Sequence, residues 1–143
     1  MNTAWRNFAA RPPAPHRDLF GRAKRDYNAE ARRQAAIVEW CEWVAPEVFV
    51  FHVANGGLRS KSEAARLKWM GVKAGVLDLV VLLPSGRSAY WECKTPKNGL
   101  SQEQKDFIER LKVLGHSYGI VRSIEDARRE LAALGIETKE SPR

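Results

Sequence analysis

The apolar positions change period along the chain, and each period predicts an element. Over residues 27–44 they recur every three to four positions until Pro46, which predicts a helix. A short apolar run over residues 48–53 predicts a strand that stops at the turn Asn55-Gly56-Gly57. Residues 60–70 predict a basic helix ending at Gly71. The apolar side of the first helix would carry Ala31, Ala35, Val38 and Trp43.

The centre of the chain has the pattern of a β-hairpin. The run LDLVVLL (77–83) is joined by PSGR to SAYWECK (88–94). A helix capped by Ser101 follows, then a strand over 117–122 and a last helix beginning near Ser123. The pattern predicts an α/β fold with a small mixed β-sheet flanked by helices, in α-β-α-β-β-α-β-α order.

Three charged residues lie in this hairpin, where charge is expensive to bury. Because strand side chains alternate between faces, Glu92 and Lys94 share one face, and Trp91 and Cys93 the other. Folding about the turn brings Asp78 opposite Glu92. Two carboxylates suit Mg²⁺ (or Mn²⁺) and phosphodiester hydrolysis, with the Cys93 backbone carbonyl as a further ligand and Lys94 beside the attacking water. The alternative is a structural salt bridge of Lys94.

The charge of the chain points to a polyanionic partner. The net charge is +7 and the pI about 9.7. Residues 1–34 hold eight Lys/Arg against three Asp/Glu, and residues 59–75 hold five against one, which favours a phosphate-binding surface over one that only keeps the chain soluble. The expected organisation is a basic flexible arm over 1–25 and a nuclease-like domain over 26–143. The predicted phosphate contacts are Lys61, Arg66, Lys68 and Lys73.

The cysteines indicate a reducing compartment, and the hydropathy indicates no membrane span. Cys41 and Cys93 form no C-x-x-C pair or zinc pattern, and no apolar run reaches membrane-spanning length. We therefore expect a cytoplasmic protein with no membrane partner.

The motifs GVKAGVLDL, WECK and LSQEQ resemble the VRR-NUC (virus-type replication-repair nuclease) branch of the PD-(D/E)XK nuclease superfamily, over roughly residues 27–134. The resemblance makes Asp78, Glu92 and Lys94 the signature triad. It adds Glu30, followed by Gln34, as a metal-side residue and Gln104 as an active-site residue. It also aligns Asn55-Gly56 with a turn near the DNA. Leu77 departs from the proline usual before the aspartate.

The resemblance also implies a restriction-endonuclease-like core and a function. Such stand-alone proteins are viral or bacterial, cut branched DNA such as a Holliday junction or flap during DNA repair, and form homodimers. The expected setting is the cytoplasm of a bacterium or phage-infected cell. A non-catalytic DNA-binding module with a silent nuclease fold and an RNA-binding protein remain the alternatives.

Each accessory residue also has a simpler interpretation. Glu30 can be an exposed first-turn glutamate, Gln34 a surface residue, and Gln104 a capping-box partner of Ser101. His52 is expected in the core rather than at the site. Gly71 and Gly75 are expected to let the chain approach DNA and turn into the Asp78 strand. Core or dimer contacts, rather than base stacking, are expected of Trp40, Trp43 and Trp69.

Overall fold

The computed structural model describes residues 29–55 and 59–139, so the predicted arm of residues 1–25 and its boundary at residue 26 lie outside the described residues. The helices are α1 (Ala29–Val44), α2 (Lys61–Trp69), α3 (Gln102–Val113) and α4 (Ile124–Ala133). The strands are β1 (Phe49–His52), β2 (Leu79–Leu83), β3 (Arg87–Cys93) and β4 (Ser117–Val121), with a 3₁₀ turn over Pro84–Gly86.

The four strands form one mixed sheet in the order β1-β2-β3-β4. The first two pairings are antiparallel, and β3 pairs parallel with β4 through the α3 crossover. In the β2–β3 hairpin Leu79 pairs with Trp91. This register places Asp78, the residue before β2, level with Glu92, as the sequence predicts.

The main core lies on the sheet face covered by α1 and α4. Trp91 and Cys93 are fully buried there, and the face of α1 that meets them carries Ile37, Cys41 and Val44. The predicted apolar face of α1 is therefore wrong: Ala31 and Ala35 are exposed. The alanines at positions 31 and 35 fit the helical period, but their small side chains gain little free energy from burial, so they do not determine which face of the helix packs on the sheet.

A second, smaller core lies on the opposite face beneath α3. Leu77 is fully buried against Ile108 and Leu111 of that helix, with Tyr90 and Phe107 packed around them. Leu77, which stands where the superfamily usually has proline, thus anchors the chain one residue before Asp78. The two faces of β3 are both covered, which is why a charged residue in this strand becomes buried.

Helix α2 projects a polar surface. Ser60 caps it through a hydrogen bond from the Glu63 amide, and none of its residues is buried. Trp69 is 86% exposed and Trp43, on α1, is 78% exposed, so the prediction that these two tryptophans lie in the core is wrong. Trp40 is half-buried against the main core. Among the described helices, none is long and apolar enough to cross a membrane.

Candidate active site

Three carboxylates from different elements meet at one end of the β2–β3 hairpin. Glu30 lies in the first turn of α1, Asp78 directly before β2, and Glu92 near the end of β3. One carboxylate oxygen from each lies within 4.8 Å of the others. Like charges this close repel one another, so the arrangement suits a bound cation.

Glu92 is the buried member of the cluster, with 2% of its surface exposed. Its Oε1 accepts hydrogen bonds from Lys94 Nζ at 2.9 Å and from Gln104 Nε2. Its Oε2 is buried and has no hydrogen-bond partner. Burial raises the pKa of the carboxyl, and the neighbouring Asp78 raises it further, against the lowering effect of Lys94 and Gln104. An unpaired buried oxygen on a carboxylate that belongs to such a cluster is a ready ligand for a metal ion.

Backbone contacts hold Asp78 on both sides. Its Oδ2 accepts a hydrogen bond from the Cys93 amide at 3.0 Å, which joins the carboxylate to β3. Its carbonyl oxygen accepts from the Val53 amide at 2.8 Å and from His52 Nδ1 at 2.9 Å. His52 is exposed, so its predicted place in the core is wrong; it meets the site through the backbone of Asp78.

Lys94 extends beyond the end of β3 and remains attached to the sheet through its backbone. Its amide donates to the Val121 carbonyl at 3.1 Å, and its own carbonyl accepts from Arg33 Nη1 at 3.3 Å. The salt bridge that was the alternative to a catalytic role for Lys94 is present with Glu92, and the catalytic role stays a prediction. Arg33 was missed in the sequence, where it is one of several arginines in a basic run; the helical spacing from Glu30 was the available signal.

Gln104 is the capping-box partner of Ser101 and also contacts Glu92, so its capping role is confirmed and its active-site role stays a prediction. Its Oε1 accepts from the Ser101 amide while Ser101 Oγ accepts from the Gln104 amide, which completes a capping box at the start of α3. The amide nitrogen of the same side chain reaches Glu92. The loop before β2 meets α3 here as well: Gly75 lies against the Glu103 backbone, where a Cβ would come within 2.2 Å of the Glu103 carbonyl oxygen. The close contact seen for Gly75 is with α3, and the predicted approach to DNA stays a prediction.

A groove of about 680 Å³ leads from Asp78 and Gln104 to α2. Of the predicted DNA contacts, Asn55, Lys68 and Lys73 line it. Lys61 and Arg66 are exposed on α2 but do not line it, and Gly56 lies outside the described residues. Arg59, which the sequence interpretation passed over, lines the groove too and donates from Nη2 to the Ala54 carbonyl at 3.3 Å.

The thiol of Cys93 belongs to the main core and not to the carboxylate cluster. Burial is the largest cause that raises the pKa of this thiol, with the nearby carboxylates adding to it. The thiol therefore stays protonated and is a poor metal ligand. The role predicted for the residue, ligation through its backbone carbonyl, stays a prediction.

The comparisons with known proteins agree with this geometry. The family model of the VRR-NUC domain matches residues 22–125. A solved structure of a VRR-NUC domain protein is similar over 72% of this chain and 84% of that one, with a TM-score of 0.55 and 21% sequence identity. At that identity the likeness shows a shared fold. No curated protein matches the chain.

Proposed function

Because the chain belongs to the VRR-NUC domain family, a family of nuclease-type domains that act on DNA, we propose that it is a metal-dependent endonuclease that hydrolyses phosphodiester bonds in branched DNA. One observation carries the proposal: Glu30, Asp78 and Glu92 converge within 4.8 Å while one oxygen of the buried Glu92 has no partner. A purely structural cluster would pair that oxygen, because an unpaired buried oxygen destabilises the fold.

The donor set fits Mg²⁺ or Mn²⁺. Both are hard cations that prefer carboxylate oxygens, and the structure brings three carboxylates together. Asp78, Glu92 and Glu30 would hold the ion. When bound, it would supply charge neutralisation at the phosphate and a water of lowered pKa.

The residues around the carboxylates stabilise negative charge and hold the carboxylates in place. Lys94 keeps 13% of its side chain exposed and places its ammonium 2.9 Å from Glu92 Oε1, beside the cluster where a phosphate oxygen or a water would bind. A fixed cation there stabilises negative charge that develops in the transition state. Gln104 holds Glu92 Oε1, which leaves Oε2 directed away from that hydrogen bond. Asp78 is held by the Cys93 amide, so its second oxygen is the one available to a ligand.

Two features support branched DNA as the substrate and a homodimer as the active form. The groove joins the carboxylate cluster to cationic residues without a helix-turn-helix or zinc finger in the sequence, which favours recognition of shape. Symmetrical cutting of a four-way junction needs two active sites, which a twofold dimer supplies. The cytoplasm is the proposed setting, supported by the free, buried thiols of Cys41 and Cys93.

Cleavage of a substrate series tests the function. Labelled Holliday junction, 5′ flap, 3′ flap, linear duplex and single strand are incubated with the protein in Mg²⁺, in Mn²⁺ and in EDTA. We expect metal-dependent cutting of a branched substrate that falls at least 100-fold in Asp78→Asn and in Lys94→Ala, which is in the range for loss of charge stabilisation. The matched control is Lys112→Ala, which breaks the exposed Lys112–Glu109 ion pair on α3 and leaves the cluster intact.

The alternative is a non-catalytic DNA-binding module. It predicts that none of the substrates is cut in either metal, while the wild type and both variants bind the junction equally. That result would reject the endonuclease proposal.

A further inference from the structure

The groove beside the carboxylate cluster has two kinds of lining. Arg59, Lys68 and Lys73 supply positive charge. Leu67, Val72 and Val76 supply apolar surface, of which Val72 is 39% exposed. A double helix presents phosphates and sugars to such a groove, because its bases are stacked and paired inside. Cations alone would serve a duplex, whereas apolar side chains can also contact the faces of bases that are unpaired, which favours a single strand.

We infer that this groove binds an unpaired stretch of a DNA strand next to the phosphodiester bond that is cut. The cations contact the phosphates, and the apolar side chains contact the faces of unstacked bases. The inference rests on the proposed function and narrows it: among branched substrates, those with a single-stranded segment at the cut, such as flaps, are the ones that fill the groove.

The position and size of the groove support a single strand. Asp78 and Gln104 are among the residues that line it, so a strand lying in it reaches the carboxylate cluster. Its volume of about 680 Å³ is in the range of a pocket for a small molecule, which matches the scale of nucleotides in a single strand.

A second copy of the chain is a less suitable occupant. Residues 59–75 carry five Lys/Arg and one Glu, so a twofold contact through this segment would set like charges against each other. A DNA strand is complementary in charge.

Binding without cleavage tests the inference directly. Fluorescence anisotropy in EDTA compares labelled dT15, a blunt duplex of equal length, U15, and a 15-mer of abasic deoxyribose phosphates. The full chain should bind dT15 at least fivefold tighter than the duplex and the abasic oligomer, since base contacts add to phosphate contacts. Tighter binding of U15 than of dT15 would overturn the assignment to DNA.

Paired variants locate the contacts. Leu67→Ser and Val72→Ser should weaken dT15 binding about fivefold and leave the abasic oligomer unchanged. Their control is Trp69→Ser, which removes an apolar side chain of α2 that does not line the groove. Lys68→Ala should lower the slope of log K against log salt by about 0.7, whereas Lys61→Ala should leave it unchanged. Circular dichroism checks folding; none of the α2 residues is buried.

The outcomes separate the two proposals. Equal losses of dT15 affinity in the groove variants and in their controls would overturn the inference, even if junctions are cut. Binding of the duplex as tightly as dT15 would overturn it as well. Groove-dependent dT15 binding with no cleavage of any substrate would retain the groove as a single-strand binding site, and would reject both the endonuclease and the cut bond beside the groove. Self-association that Leu67→Ser abolishes, measured by light scattering, would assign the apolar lining to a second copy and overturn it.

Discussion

Gln104 uses both ends of one side-chain amide. The oxygen completes the capping box of α3, and the nitrogen donates to Glu92, so the start of the helix and a buried carboxylate share one residue. Gln104→Ala should therefore lower the free energy of unfolding by about 1 kcal/mol through the lost cap and lower activity or metal affinity roughly 10- to 100-fold through the loosened Glu92.

Gln104→Glu distinguishes the two losses. Glutamate also serves in a capping box, so stability from the cap should return, while a new carboxylate beside Glu92 should keep activity low. Gln102→Ala is the control, because it removes only an exposed hydrogen bond to Asp106 in the same turn. Urea unfolding and cleavage rates measure both effects. A Gln104→Ala protein with normal activity would leave the residue a cap alone.

The raised pKa of Glu92 makes the stability of the metal-free protein depend on pH. A carboxyl whose pKa is higher in the folded state binds its proton more tightly there. Its contribution therefore favours the fold at low pH and is lost as pH rises from the ordinary value of 4.5 through the folded pKa. The melting temperature of Glu92→Gln relative to wild type should rise over this window and then level off. Differential scanning fluorimetry in EDTA measures it.

Saturating Mg²⁺ should reduce that pH-dependent difference, because a cation favours the ionised form of Glu92. The same titration of Glu109→Gln, an exposed carboxylate on α3, is the control for effects that arise outside the cluster. A falling difference between Glu92→Gln and wild type would show that the folded state lowers the pKa of Glu92.

At the scale of elements, the site depends on how the loop before β2 meets α3. Gly75 has φ +76° and lies where any Cβ would meet the backbone of Glu103, whereas Gly71 has φ +104° with open space around it. Both substitutions to alanine force a left-handed residue, which costs about 1–2 kcal/mol. Gly75→Ala should lower the free energy of unfolding more than Gly71→Ala does, because the loop or α3 must also move.

The pair therefore isolates the contact between loop and helix. Asp78 follows Gly75 by three residues and Gln104 lies beside Glu103, so Gly75→Ala should also reduce the thermal shift produced by Mg²⁺, and Gly71→Ala should retain it. Urea unfolding gives the stabilities. If Gly75→Ala and Gly71→Ala lose the same stability and keep the same thermal shift with Mg²⁺, the contact between the loop and α3 is unimportant for the site.

Elements whose signals are local could be predicted from the sequence. The hairpin, the Ser101 cap and the order of helices and strands follow from alternation, turn residues and caps. The exposure of Trp69 and His52 could not, because it depends on which elements cover them. The same holds for Arg33, whose contact with the Lys94 carbonyl joins residues far apart in the sequence. It also holds for Arg59, whose place in the lining of the groove depends on how the chain folds around it. The mixed lining of the groove likewise arises only when α2 and the loop before β2 come together.

At the scale of the molecule, the two faces of the sheet are covered unequally. Helices α1 and α4 cover one face, while on the other face Phe51 and Leu82, on the β1–β2 side, remain 39% and 44% exposed. Apolar side chains on adjacent strands are a surface that association can bury. For the proposed homodimer we expect this face to contribute, with light scattering giving twice the chain mass of 16.2 kDa.

Leu82→Asp and Phe51→Asp should then shift the protein toward the monomer, because a charge buried in an apolar interface is destabilising. Val113→Asp is the control: Val113 is 83% exposed at the end of α3. If two active sites cut a junction together, the monomeric variants should still nick one strand but should make the paired cuts slowly. A wild-type protein that is monomeric and still makes the paired cuts rapidly would show that junction cleavage does not need a dimer. Each chain carries a complete cluster of Glu30, Asp78 and Glu92, so a single chain would then make every cut.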